Sequence, residues 1–171
     1  LNSLEATILS PIGENNPEFD RAVLEATPGR WLLDVKRNGT FKVRGVKQGF
    51  REDKLSADGA DFNYYAHVAS LDAIRSTVFR YRRGSRSLAA KDISTAFLQS
   101  NPYPEGVVKF IKFKHPVTNE WKYWRQSGPI YGEASAPARW ERALSPWLVE
   151  QGFIQGKNDP CVFYHSERDL L

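Results

Sequence analysis

Apolar residues recur at every second position in two neighbouring stretches: Trp31, Leu33 and Val35, then Phe41 and Val43. Asn38-Gly39 lies between them, and that dipeptide flanked by alternating segments is the strongest short-range hairpin signal. The pattern predicts a two-stranded β-ribbon over about 30–47. Upstream, Asn16-Pro17 reads as an N-cap followed by proline at the first helical position. Glu18 and Asp20 suit the positive end of that helix, which runs to about Glu25 before Pro28-Gly29 stops it. Further on the period changes to that of a helix. Ser70 caps a segment in which Leu71, Ile74, Val78 and Tyr81 line one face. Val107 to Lys114 and Trp121 to Arg125 form a second hairpin around Val117-Thr118-Asn119. Ser135 to Gln151 is a helix with a buried stripe of Trp140, Leu144, Trp147 and Leu148, kinked at Pro146 and closed by Gly152. Cys161 to Tyr164 is a last short strand. Residues 1–16 read as an irregular arm, and the charged stretch 51–63 as a solvated loop.

The run Leu88-Ala89-Ala90 reads as a buried strand that delivers Asp92 to its C-terminal end, with a tight turn that points Phe97 back toward the acid. The element order is helix, hairpin, helix, strand with acid, hairpin, helix, strand. This is an α+β layout.

Composition narrows the class. With 171 residues, 41% apolar and 13% aromatic, the chain suits one globular domain. No apolar run approaches a membrane span of about 18 residues. No signal peptide is visible, so the expected location is intracellular, cytoplasmic or nuclear. The chain opens on Leu1 and contains no Met, which reads as a trimmed start or a piece of a longer frame. Cys161 is the only cysteine and fits a reducing compartment. A net charge of +4 permits a polyanionic partner without requiring one. Arg80, Arg82, Arg83 and Arg86 sit at the far end of the 71–81 helix. They read either as complements of the helix dipole or as a nucleic-acid contact.

Asp92 at a rigid strand end suits a metal ion that handles phosphates. One acid alone is not a metal site. Four segments then resemble one family, in matching order. Lys42-Val43-Arg44-Gly45-Val46-Lys47-Gln48-Gly49-Phe50 resembles the Lys-Ala-Arg-Leu-Val-Ala-Lys-Gly-Phe motif of copia-type (Pseudoviridae) retrotransposon reverse transcriptases. Asp92 to Leu98 is similar to that family's Asp-Val-Lys-Thr-Ala-Phe-Leu. Tyr131-Gly132 through Ala136-Pro137 to Trp140 resembles Tyr-Gly-Leu-Lys-Gln-Ala-Pro-Arg-Ala-Trp. Asp159-Pro160-Cys161-Val162-Phe163 matches Asp-Pro-Cys-Leu-Phe. The resemblance covers about residues 28–165.

It implies a partial polymerase right hand: fingers at about 28–85 and 104–130 and an incomplete palm at about 86–103 and 131–171. Residues 1–27 precede the resemblance and read as an N-terminal arm and helix. Asp92 would be the first palm aspartate and a ligand of the two Mg2+ ions that activate a primer 3′-hydroxyl. Phe97 would lie under the nucleotide sugar and exclude a ribose 2′-hydroxyl; its ordinary alternative is a core phenylalanine. Lys42 and Arg44 would clamp phosphates, with a solvated face as the alternative. Ser135 stands where the family's glutamine touches nucleotide or template, and Tyr131 would lie near the template strand. The partners implied are an RNA or DNA template-primer and deoxynucleoside triphosphates, with no membrane; oligomeric state is left open.

Departures accompany the match. Glu133, Ala134 and Ser135 replace leucine, lysine and glutamine, Gln48 replaces a lysine, and His67 replaces a proline. The chain ends at Leu171, before the family's Tyr-Val-Asp-Asp strand. With Asp92 as the one acid, the expectation is a fragment or decayed copy that holds Mg2+ poorly and is inactive alone. The alternative is a non-catalytic nucleic-acid-binding remnant that uses Lys42, Arg44 and the arginine cluster.

Overall fold

A computed structural model describes residues 8–52, 58, 62–83 and 88–169. The chain divides into two compact units, Leu1–Tyr64 with Thr95–Trp140 and Tyr65–Ser94 with Glu141–Leu171.

The first unit is built on a five-stranded sheet in the order β1-β5-β4-β2-β3. β2 (Thr27–Val35) and β3 (Phe41–Lys47) form the expected ribbon, in register from Gly29↔Lys47 to Val35↔Phe41. Its loop, residues 36–40, places only Gly39 in the left-handed region, at φ +78°, which glycine adopts without strain. β4 (Lys109–Lys114) and β5 (Trp121–Gln126) form the second hairpin, whose Asn119 sits at φ +58°. β2 joins β4 in parallel only at Thr27 and Pro28. Beyond that point, pairing in the β2–β3 ribbon is confined to its own two strands.

Two expectations change here. Leu9–Ile12 is a strand, β1, paired antiparallel with β5. Its apolar ends Leu9 and Ile12 are buried, and Pro11 is tolerated because β1 is an edge. The first helix, α1 (Phe19–Glu25), starts two residues after Pro17 and ends before β2, which takes in Pro28 and Gly29. Asn16 Oδ1 still accepts the Glu18 N–H at 2.8 Å. The small residues Ala22 and Ala26 let α1 lie close on Phe110, in a cluster with Ile12. A second cluster joins Ile8, Leu9, Leu98, Ile111, Phe113 and Ile130. Gly29 fits under the Phe113 ring, where a Cβ would overlap it.

The second unit contains α2 (Leu71–Arg83) and the part of α3 (Ala136–Glu150) beyond Trp140. Ser70 caps α2 as expected, its Oγ accepting the Ala73 N–H at 3.1 Å. Gly152, at φ +89°, closes α3, and the Phe153 N–H reaches back to the Leu148 carbonyl. β6 (Ile154–Gln155) pairs with β7 (Phe163–Tyr164), so the last strand is shorter than expected and Cys161 lies in the preceding turn.

Two expectations fail in this unit. Leu88 to Ile93 is not a strand but an irregular, exposed segment. A short apolar run becomes a strand only where a neighbouring backbone pairs with it, and no described strand does so. The face of α2 carrying Leu71, Ile74 and Val78 is exposed, as is Trp147 on α3. No helix among the described residues is long and apolar enough to cross a membrane.

Candidate functional site

Lysines in core register organise the first unit. Lys109 shares a strand face with Ile111 and Phe113, both fully buried, so alternation carries its side chain inward. Lys47 closes β3 and is also buried. Lys109 Nζ meets three carboxylates: Asp58 at 2.8 Å, Glu133 at 2.9 Å and Glu52 at 3.2 Å. Lys47 Nζ binds Glu52 at 2.7 Å. Arg139 Nη2 donates to Asp58 at 2.8 Å and its Nε to Ser135 Oγ at 3.3 Å. Ser135 and Tyr103 each donate to Glu133 at 2.6 Å. Three cations thus face three acids, with hydroxyls of Ser135 and Tyr103 on Glu133 and of Tyr64 on Asp58, while Glu52 Oε2 is buried without a hydrogen-bond partner among the described residues.

Charge balance keeps Glu133, Asp58 and Lys109 ionised. Burial pushes the Glu133 carboxyl up, but Lys47 and Lys109 outweigh it and hold it below the usual range. Burial likewise opposes Asp58, and hydrogen bonds from Lys109 and Arg139 hold it low. Lys109 is raised because its carboxylates overcome the burial that would lower it. Burial and then Glu133 raise the Tyr103 phenol well above its ordinary value.

The network joins two of the motif segments. The Lys47 N–H donates to the Tyr131 carbonyl at 2.8 Å, and the Gly49 N–H to the Gly132 carbonyl at 3.0 Å. Gly132 is required at this join: its φ is +82°, and a Cβ would strike the Lys47 carbonyl. Glu52 and Asp58, expected in a solvated loop, are instead buried in the cluster. Ser135 is fully buried between Glu133 and Arg139, which corrects its expected place at a nucleotide surface. Glu133 and Ser135, which depart from the family motif, therefore work as a pair.

The other expected site residues are more open. Lys42 and Arg44 lie on one face of the ribbon, opposite Asp34 and Leu32, with Arg44 exposed and Lys42 half-buried. Phe97 sits in a 3-10 turn, Ala96–Gln99, with its ring tilted against Tyr131 at 5.6 Å. The structure thus brings Phe97 and Tyr131 together.

Asp92, Arg80 and Arg82 belong to the second unit. Asp92 is exposed on the irregular segment rather than held at a strand end. Arg80 lies over the Tyr164 ring at 5.7 Å, and Arg82 is exposed. Arg83 ends α2. Polar clasps hold this unit. Glu141 accepts the His67 N–H at 2.8 Å and also binds the His67 ring. Asp159 accepts the N–H groups of Ser70 and Cys161, each at 2.9 Å, so the fourth motif caps α2.

One acidic set and the lone Asp92 bear on the expected magnesium. Oxygens of Glu52, Asp58 and Glu133 lie within 4.8 Å of one another, close enough for an ion. The Lys109 ammonium already touches all three, so the cation position is filled by the protein itself. Among the described residues, no other acids group with Asp92 in a set able to hold a metal. The residues described do not fit a two-magnesium centre.

The chain is 25% identical over 157 residues, 83% of its length, to a retrovirus-related Pol polyprotein from transposon TNT 1-94 of Nicotiana tabacum. This similarity supports an origin in a retrotransposon Pol polyprotein. The chain spans 11% of that relative's length. No family model matches the chain, and no solved structure matches it.

Proposed function

We propose that this chain is a reverse transcriptase portion of a retrotransposon Pol polyprotein, contributing fingers and part of a palm in a right-hand polymerase. The observation that carries this reading is the similarity to a Pol polyprotein over 83% of the chain. The order of the four motif segments adds to it. In this reading the ribbon cations Lys42 and Arg44 meet phosphates of template-primer or of an incoming deoxynucleoside triphosphate. Phe97, backed by Tyr131, presents the ring that the sugar would meet. Arg80, Arg82 and Arg83 add a second basic contact. Such a protein works inside the cell, in cytoplasm or nucleus.

Magnesium, when bound in a complete polymerase, neutralises the triphosphate and activates the primer hydroxyl. This chain's part is to hold and orient the nucleic acid. Among the described residues Asp92 has no further carboxylates grouped with it; as one ligand of a set it leaves the chain alone unable to extend a primer in this reading. Primer extension by this chain, compared with a version joined to a polymerase acidic hairpin, tests the proposal. Incorporation by the joined form only is expected. Incorporation by the chain alone would overturn the assigned inactivity, and failure of both would remove the reverse transcriptase assignment.

A second reading makes nucleic-acid binding the whole function. The charge distribution favours it: residues 30–46 carry Arg30, Lys36, Arg37, Lys42 and Arg44 against Asp34, a net +4 that equals the charge of the entire chain. Under this reading the joined form also fails to extend, while binding persists.

A further inference from the structure

One face of the β4–β5 hairpin carries chemistry that the ribbon and the buried network do not use. Positions 110, 112 and 114 of β4 share a face with 125, 123 and 121 of β5. Near its start this face is covered by α1, with Phe19 edge-on to Tyr123 and Arg21 over Phe110. Farther along, the face carries a short ladder of rings and cations. Lys112 Nζ lies 5.7 Å from the Trp121 ring centre and 6.0 Å from that of Tyr123. Lys114 Nζ lies 5.4 Å from Trp121.

These cations differ from their neighbours. Lys122 is paired with Glu120 and Arg125 with Glu18. Among the described residues, Lys112 and Lys114 have no carboxylate within ion-pair reach, so their charge is compensated only by ring faces. Trp121 remains 39% exposed although it is the largest apolar side chain of the ladder. Aromatic rings set across from ammonium groups without carboxylate partners offer the two kinds of contact that a single-stranded nucleic acid takes, since its bases stack on rings while its phosphates meet cations.

We propose that Lys112, Lys114 and Trp121, backed by the partly buried Tyr123, form a stacking platform for single-stranded nucleic acid, separate from the Lys42–Arg44 face. The choice of a nucleic acid over another polyanion rests on the reverse transcriptase reading; the geometry of the ladder does not. Trp121 takes a base on its open side, and Lys112 and Lys114 hold the flanking phosphates. Two phosphate contacts add about 1.4 to the salt slope of single-strand binding.

The test is fluorescence anisotropy of the intact chain with a labelled 12-nucleotide oligo-dT, over a salt series, alongside an abasic oligomer of equal length. Trp121→Leu keeps apolar bulk and removes the stacking ring; Lys112→Gln with Lys114→Gln removes the charges of the half-buried Lys112 and the exposed Lys114. Roughly tenfold weaker oligo-dT binding is expected for Trp121→Leu, with no change toward the abasic oligomer. The lysine pair should lower the salt slope. Binding within twofold of the parent at an unchanged slope for both variants overturns the platform, as does preference for duplex over single strand in every variant. Lys42→Gln with Arg44→Gln separates the two readings. If that variant binds normally while Trp121→Leu does not, the platform stands and the ribbon assignment fails. The reverse pattern removes the platform alone.

Discussion

The two units differ in what holds them together. The first buries two apolar clusters and a balanced set of three cations and three acids. In the second, His165 is the one buried residue among those described. Its order comes from clasps at Glu141 and Asp159, while Leu71, Ile74 and Val78 face outward. Both contain amphipathic patterns that look equivalent in sequence. A pattern shows which side would be buried, but packing decides whether anything covers it.

Substitutions should make that difference measurable. The largest effect is expected from Lys109→Met, which leaves Glu52, Asp58 and Glu133 facing one another without their shared cation. A loss of roughly 3–5 kcal/mol is expected, as when one partner of a buried ion pair is removed; urea denaturation followed by tryptophan fluorescence measures it. An unchanged midpoint would show that the cluster does not hold the first unit. Gly132→Ala comes next, at about 2 kcal/mol, from its left-handed backbone and the clash with the Lys47 carbonyl.

In the second unit, Asp159→Asn and Glu141→Gln should act locally. Hydrogen exchange in the first turn of α2 should speed up while β4 stays protected. Acid probes the same clasps. The Ser70 and Cys161 N–H groups hold the Asp159 carboxyl low. Glu141 is also held low, burial opposing and the His67 contacts prevailing. A carboxyl with a depressed folded pKa stabilises the fold above its unfolded value, about 4. That stabilisation is lost as pH falls through the lower folded value. The α2 cap should therefore keep its protection at pH 5 and lose it below about pH 4; protection that survives at pH 2 would contradict the role given to Asp159. The smallest effect belongs to Val78→Thr on the open face of α2, within about 0.5 kcal/mol, whereas the same type of change at Ile111 should cost several times more.

Much of the first unit was legible because its signals are local. Asn38-Gly39 and the alternation around it specify the ribbon; in the second unit the same kind of local signal, Ser70, specifies the start of α2. The buried network was less visible because Glu52 and Asp58 stand in a charged stretch that reads as solvated. One signal was available: Lys109 occupies the strand face of Ile111 and Phe113, and a lysine in core register calls for buried acids. Asp92 illustrates the opposite failure. Leu88-Ala89-Ala90 has strand-like composition, but strand formation requires a pairing partner that composition does not encode. The role of Asp159 as a cap for α2 depends on a contact 89 residues away in sequence, beyond the reach of any local pattern.

The central functional claim is that the basic ribbon holds nucleic acid. Anisotropy of a labelled primer-template against the intact chain, titrated from low to physiological salt, tests it most directly. Binding that weakens linearly with the logarithm of salt is predicted, with a shallower slope for Lys42→Gln combined with Arg44→Gln. Absence of binding at low salt, or binding with a slope unaffected by that pair, would contradict it.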